Sequence, residues 1–279
     1  MLVNGFVIAE SVPMARDPAA DASGSKSLVQ SLAKGFRVLE AFTAAEPELS
    51  LSEVARRAEL DAGTAFRMLN TLVALGYVAR VPGTKRFCLT LKPLELGFHA
   101  IARTELRDLA RPVLRSLVGE VNEAASLGVL DGTDIVYVER VQAGLIRMGV
   151  DIRIGSRIAA WNSAIGHALL AFLPASVRDD VLTRSVFDRP GPGTPGTRDG
   201  LRSYLDEIRH EGTALTDWGN VNGLRVLAAP VLDRDGLAIA AISVAAPAMR
   251  LASKEFLTAV RNPLLTRAQE LSVALSAVG

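Results

Sequence analysis

A chain of 279 residues with 49% hydrophobic content is long enough for two domains, each with its own core. A formal net charge of +1 means that any contact with a polyanion has to be local, and no apolar run approaches the ~20 residues that span a bilayer. The single cysteine, Cys88, rules out an intramolecular disulfide and fits a reducing compartment.

Residues 1–25 open with a short apolar patch that lacks the basic flank of a signal peptide, which predicts a cytoplasmic chain. Pro13 to Ser25 is rich in Pro, Ala, Asp, Ser and Gly and reads as a flexible tail. Alternatively, Leu2-Val3 and Phe6-Val7-Ile8 dock on a neighbouring subunit. Leu32, Phe36, Leu39 and Phe42 then form a helical stripe able to close a small core.

The stretch SLSEVARRAELDAGTAFRMLNTLVALGYV, from Ser50 to Val78, reads as two helices joined by a tight turn. Ser50 and Glu53 fit a capping box, with Leu49 and Val54 placed to staple it. In the second helix Ala65, Leu69, Leu72, Val73 and Gly76 share the apolar side. Gly63, Thr64, Arg67, Asn70, Thr71 and Ala74 share the other, with no acid among them. Such a face suits a DNA major groove, where Arg and Asn reach base edges and Thr reaches phosphate. An ordinary amphipathic surface helix would look the same. Two β-prone runs around Pro82-Gly83-Thr84-Lys85 favour the first reading, because a helix pair followed by a hairpin is a winged helix-turn-helix. Lys85 and Arg86 at its tip would meet phosphate or a minor groove. Residues 26–92 carry ten Lys/Arg against six Asp/Glu, so positive charge gathers where the motif needs it, although Asp61 at the second helix's start counts against it.

Beyond the wing, Pro93 starts a helix with a Leu94, Phe98, Ile101 stripe. A helix around Asp108–Val121 follows, with Pro112 arguing for a break just before it. Strands are predicted over Ala125–Leu130 and Ile135–Arg140 around the turn Asp131-Gly132-Thr133-Asp134, and over Leu145–Val150. Ser163–Phe172, Ala175–Arg184 and Arg198–Glu211 read as helices, with Arg189–Thr197 a loop between the last two. A second hairpin pairs Gly223–Val231 with Leu237–Ala246, and a helix over Lys254–Ala277, interrupted or kinked near Pro263, closes the chain. The fold class is α+β with a mixed or antiparallel sheet, helices on one face and a small-molecule cavity under the other.

The order SLAKGFRVLEAF, LSLSEVARRAEL, TAFRMLNTL, GYV, LTLKPLELG, VLDGTDIVYVERV, SAIGHALLAFLP and GLRVLAAPVLDRDGLAIAAISVAAP resembles the isocitrate lyase regulator (IclR) family of bacterial transcription factors, from about Ser27 to the C-terminus. LVQSLAKGFRVLEAF and AAWNSAIGH are similar in tone to the regulators of aromatic-acid breakdown. The resemblance implies a winged helix over 26–92, a linker helix over 93–106 that contributes dimer contacts, a GAF-like effector domain over 107–279, and assembly as a dimer or tetramer. It further implies promoter DNA and a small organic acid as partners, and no cofactor. Carried over motif by motif, the effector contacts fall on Arg147, Val150, Trp161, Asn162, Ala164, Ile165, Asp217, Val226 and Ala228. The helix start near Asn162-Ser163 and Arg147 would suit a carboxylate, and Trp161 an aromatic ring. Arg147 as a solvated strand residue and Trp161 as plain core are the competing readings.

Two departures stand out. Gly219 replaces an acid that the family usually carries two places after Asp217, and Ala62-Gly63 replace basic and serine positions ahead of Thr64. These changes point to a different effector environment and a different operator. Catalysis finds little support. His99, His167 and His210 are the only histidines, and none sits in a metal-ligand or triad-like context. A DNA-binding protein whose second domain only oligomerises is the remaining alternative.

Overall fold

The computed structural model describes residues 2–3, 6–7, 28–102, 106–143, 152–191, 193–218 and 223–278. The tail expected from Pro13 onward, the strand expected over Leu145–Val150 and the end of the linker at 103–105 lie outside these residues. At the N-terminus β1 (Leu2–Val3) and β2 (Phe6–Val7) pair antiparallel, in the stretch read as tail. Two compact units make up the chain, the first of residues 13–102 and the second grouping residues 1–12 with 103–279.

The first unit holds α1 (Gln30–Glu40), β3 (Glu48–Ser50), α2 (Leu51–Arg57), α3 (Ala62–Ala74), β4 (Val78–Arg80), β5 (Arg86–Leu89) and α4 (Lys92–Ala102). The capping box forms as its spacing dictates: the Ser50 N–H donates to the Glu53 carboxylate at 2.7 Å, and the Glu53 N–H donates to Ser50 Oγ. That backbone bond, before any other influence, holds Glu53 below the usual carboxylate range. Leu49 and Val54 are both buried in the core with Val38, Phe42, Leu69 and Phe87. β5 lies between β4 and β3, so the wing hairpin gains a third strand that the sequence reading did not anticipate. Half of the expected stripe holds, with Phe42 in the core and Leu39 packed partly buried against it; Leu32 and Phe36 are exposed instead, and Val38 and Ala41 join the core.

The second unit is built on one antiparallel sheet in the order β8-β7-β6-β11-β10-β9: β6 (Ala124–Asp131), β7 (Asp134–Val141), β8 (Arg157–Ala159), β9 (Ala214–Trp218), β10 (Leu224–Leu232) and β11 (Ala238–Pro247). Around it lie α5 (Leu106–Val121), α6 (Ala164–Leu170), α7 (Ala175–Arg184), α8 (Arg198–Glu211) and α9 (Ser253–Val278). Helices α5 and α9 cover one face, where Leu114, Leu117, Phe256 and Leu264 share a core with Leu127, Leu227 and Ile242. The opposite face is covered too, since α6 and α8 bring Ile165, Leu169, Leu201 and Leu205 against Ile135, Tyr137, Ala228 and Ala241. The sequence expectation of helices on a single face is corrected accordingly. The helix α5 runs through Pro112 without the expected break. Pro112 is exposed, so the carbonyl it leaves without a helical partner sits on the wet side. The last helix likewise includes Pro263.

Two glycines set how closely α6 approaches its surroundings. A Cβ on Gly128 would lie 2.5 Å from Ile135 Cγ2 and 2.9 Å from Ile165 Cδ1. One on Gly166 would lie 2.1 Å from the Ala160 carbonyl oxygen, in the 3-10 turn Ala160–Asn162 that leads into α6. His167, 1% exposed, sits beside this contact, with Nε2 2.7 Å from the Trp161 carbonyl oxygen. A carbonyl only accepts, so Nε2 carries the proton. Nδ1 is buried without a partner, and Tyr204 meets the ring edge-on. Burial of the imidazole lowers its pKa to about 4.

Two outcomes follow for the second unit. Gly166→Ala destabilises it by about 1–3 kcal/mol through the clash with backbone. Gly119→Ala, on an exposed helical position with open space around it, is neutral or stabilising, and calorimetry of the two variants reads the difference. Stability also falls as the pH drops from about 6.5 to about 4, because there the unfolded chain binds a proton at His167 that the folded chain refuses. The loss amounts to roughly 3 kcal/mol over that window. His167→Gln, which keeps an N–H donor, flattens this part of a denaturant-midpoint-against-pH curve. An unchanged slope would remove His167 as its source.

Candidate functional site

In the first unit the candidate surface is the outer side of α3. Asp61 caps the helix, its Oδ1 accepting the Thr64 N–H at 2.8 Å, and the Thr64 hydroxyl and N–H together keep the carboxyl below its ordinary range. Asp61 is thus the residue that starts the helix, a role the sequence reading had entered only as an unfavourable charge. Ala65, Leu69 and Leu72 face the core as expected. Thr64 is buried with them at 6% exposure, within 3.4 Å of Arg67 Nη2, so it supports the outer face without forming it. Gly63, Arg67, Thr71 and Ala74 are exposed, Asn70 half so. The Thr71 hydroxyl donates back to the Arg67 carbonyl.

The sequence reading missed Phe66. It is 45% exposed beside Arg67, and the periodicity had assigned it to neither face. Asn70 is constrained as well: Arg80 Nη2 donates to its Oδ1 at 2.8 Å. At the wing Lys85 is exposed, but Arg86 is spent within the unit. Its Nη1 donates to the Glu48 carbonyl at 2.7 Å and lies 3.4 Å from the Glu53 carboxylate. Behind α3, Lys92 at the start of α4 donates from Nζ to the carbonyl of Leu75, the residue that ends α3, at 2.8 Å.

In the second unit Arg147, Val150 and Gly219 lie outside the described residues. Trp161, Ala164, Ile165 and Ala228 come together in the core between α6 and the sheet, with Val226 half-buried beside them. Trp161 stacks on Phe187 with ring centroids 4.5 Å apart. Asn162 has both side-chain groups engaged on the following loop, Nδ2 donating to the Arg189 carbonyl and Oδ1 accepting the Gly191 N–H. The start of α6 is not an open anion cradle either. Ser163 Oγ accepts the Gly166 N–H, and the Ala160 carbonyl closes over that turn. Asp217 faces away from this group: it pairs across the sheet with Arg225 at 2.7 Å, and Arg225 also donates to the Ala248 and Leu251 carbonyls ahead of α9. Strand alternation therefore puts Asp217 on the α5/α9 side, opposite Val226 and Ala228.

Register assembles polar residues that the motif transfer did not name. Arg140, Ser126, Ser243 and Ala228 are successive neighbours across β7, β6, β11 and β10, on the α6 side of the sheet. Arg140 Nη1 donates to Ser126 Oγ at 2.7 Å, and both serines are buried. On the edge strand β9, Thr216, paired with Val226, buries its hydroxyl without a hydrogen-bond partner. A cation, three hydroxyls and small apolar side chains on one side of a sheet can hold a small polar or anionic molecule.

Known proteins share both units. Residues 31–82 match the IclR helix-turn-helix domain, and residues 98–273 match the bacterial transcriptional regulator IclR C-terminal domain. The HTH-type transcriptional regulator KdgR of Escherichia coli is 31% identical over 92% of this chain and 96% of its own. The Pca regulon regulatory protein of Pseudomonas putida is 28% identical over 84% and 79%. Among solved structures, a transcriptional regulator from Rhodococcus sp. RHA1 superposes with a TM-score of 0.78 at 36% identity, covering 90% of this chain and all of that one. An IclR homolog from Microbacterium hydrocarbonoxydans complexed with 4-hydroxybenzoate gives 0.74 at 27%, covering 88% and 99%. With a winged helix-turn-helix at one end, a sheet-based effector domain at the other and family models matched over both, the chain belongs to the IclR family of DNA-binding transcriptional regulators.

Proposed function

We propose that this regulator binds promoter DNA as a dimer or tetramer and changes its affinity when a small organic acid, in the first place an aromatic carboxylate, occupies the α6 side of the second unit's sheet. The supporting observation is the row Arg140–Ser126–Ser243, which lines up a guanidinium and two buried hydroxyls on the side of the sheet that α6 covers. Buried hydroxyls on an otherwise apolar face favour a ligand that accepts hydrogen bonds, and Trp161 with Phe187 favours a flat one. The homolog held with 4-hydroxybenzoate supports the same class.

Gly63, Arg67, Asn70 and Thr71 make the groove contacts, Thr64 acts from behind them, and Lys85 meets the sugar-phosphate backbone with a smaller share from Arg86. The linker helix reaches the recognition helix through the Lys92 contact to Leu75, which gives a change in α4 a direct hold on α3.

The reading is tested by melting the protein with benzoate, 4-hydroxybenzoate and pyruvate in turn. A true effector at 100 times its Kd raises stability by about 2.7 kcal/mol and shifts the salt-dependent binding of a fragment carrying the promoter. Ser243→Ala, which removes the hydroxyl and adds no bulk, abolishes the thermal shift while leaving effector-free DNA binding intact. Trp161→Ala is the poorer probe, because emptying so buried a position costs about 3–5 kcal/mol by itself. No response to any carboxylate, together with intact DNA binding, would reduce the second unit to an assembly domain.

A further inference from the structure

The outer side of α3 is polar or small at every exposed position from Ala62 to Ala74 but one. Phe66 stands out of the ridge at 45% exposure, outside the core cluster that takes Leu69 and Leu72. An aromatic ring left in water gains from being covered, and what covers it is set by its neighbours. Arg67 follows it directly, Asn70 lies one turn on and Gly63 one turn before, and no acid occurs between Ala62 and Ala74. These are neighbours suited to a base-pair edge. In a major groove the apolar feature is the C5 methyl of thymine, and Phe is among the side chains that meet it.

The state of Asn70 sharpens the assignment. An asparagine identifies adenine by accepting from N6 and donating to N7 at once. Arginine has no acceptor, so the atom that faces Arg80 Nη2 at 2.8 Å is Oδ1, and one of that oxygen's two lone pairs is spent on Arg80. Asn70 therefore meets an adenine with its acceptor already shared, and a thymine methyl supplies an A·T signal that does not depend on that oxygen.

We infer that Phe66 is the specificity residue for an A·T pair, its ring packing on the C5 methyl of a thymine at the base step next to the guanine taken by Arg67. This rests on α3 being the recognition helix. Gly63 leaves the approach open: a Cβ there would meet only the Asp61 carboxylate, at 3.3 Å.

The test is selection of duplexes from a randomised library by the full-length protein, followed by sequencing. Wild type enriches half-sites with a thymine beside a guanine. Phe66→Ala flattens the thymine column and keeps the guanine column, Arg67→Ala does the reverse, and Phe66→Leu retains part of the thymine preference. Replacing that thymine by uracil in the selected duplex, which removes the methyl alone, weakens wild type about fourfold per half-site and leaves Phe66→Ala unaffected. The proposal is overturned by a thymine column that survives Phe66→Ala, by uracil binding as well as thymine, or by a half-site without thymine next to the Arg67-dependent base. A wild-type protein that enriches no sequence at all would instead remove α3 from the role of recognition helix.

Discussion

Burial of Ala65, Leu69 and Leu72 in the small core of the first unit fixes the rotation of α3, and everything that side of the molecule does depends on it. A core drawn from α1, α2, α3 and three short strands offers few apolar residues, so the helix has one rotation that fills the space among Val38, Val54 and Phe87. Once that rotation is set, the choice of outward residues is no longer free. Arg67 and Phe66 go out, Thr64 goes in, and Asn70 falls within reach of Arg80 on the neighbouring strand. The outward-facing surface of α3 is thus a by-product of core packing.

A comparable constraint governs the second unit. Helix α6 lies close to the sheet because Gly128, Ala228 and Ala241 leave space beneath it and Gly166 lets the preceding turn fold against it. The same closeness buries His167 and holds Trp161 in place through its carbonyl. Small residues in mid-sheet usually weaken packing. Here they admit a helix on one face while Arg140, Ser126 and Ser243 keep a polar strip alongside it. Close helix packing and the polar strip therefore come from adjacent positions of the same strands.

Much of this was legible in the chain, because local chemistry decided it. The Ser50–Glu53 box, the hairpin turns at Gly132 and Gly236 and the helix Arg198–Glu211 need only their own residues to be read. Strands β3 and β9 were missed, since each is a short edge piece whose pairing comes from a distant partner and whose Glu48 or Asp217 reads as loop. Helical periodicity placed the faces of α3 to within a residue or so. It could not separate Thr64 from Phe66, because that choice lies in the tertiary contacts. The side of the sheet that Asp217 occupies depends on register with Arg225, which no motif encodes.

Asp61 carries a last implication. Helix starts commonly welcome phosphate, through unpaired amides and the positive end of the peptide dipoles. In this chain the amide of Thr64 is already taken, and the group that took it is an ionised carboxylate held in that state by its own hydrogen bonds. A negative charge at the foot of this helix therefore makes its start a poor seat for a phosphate, the reverse of the usual role of a helix N-terminus.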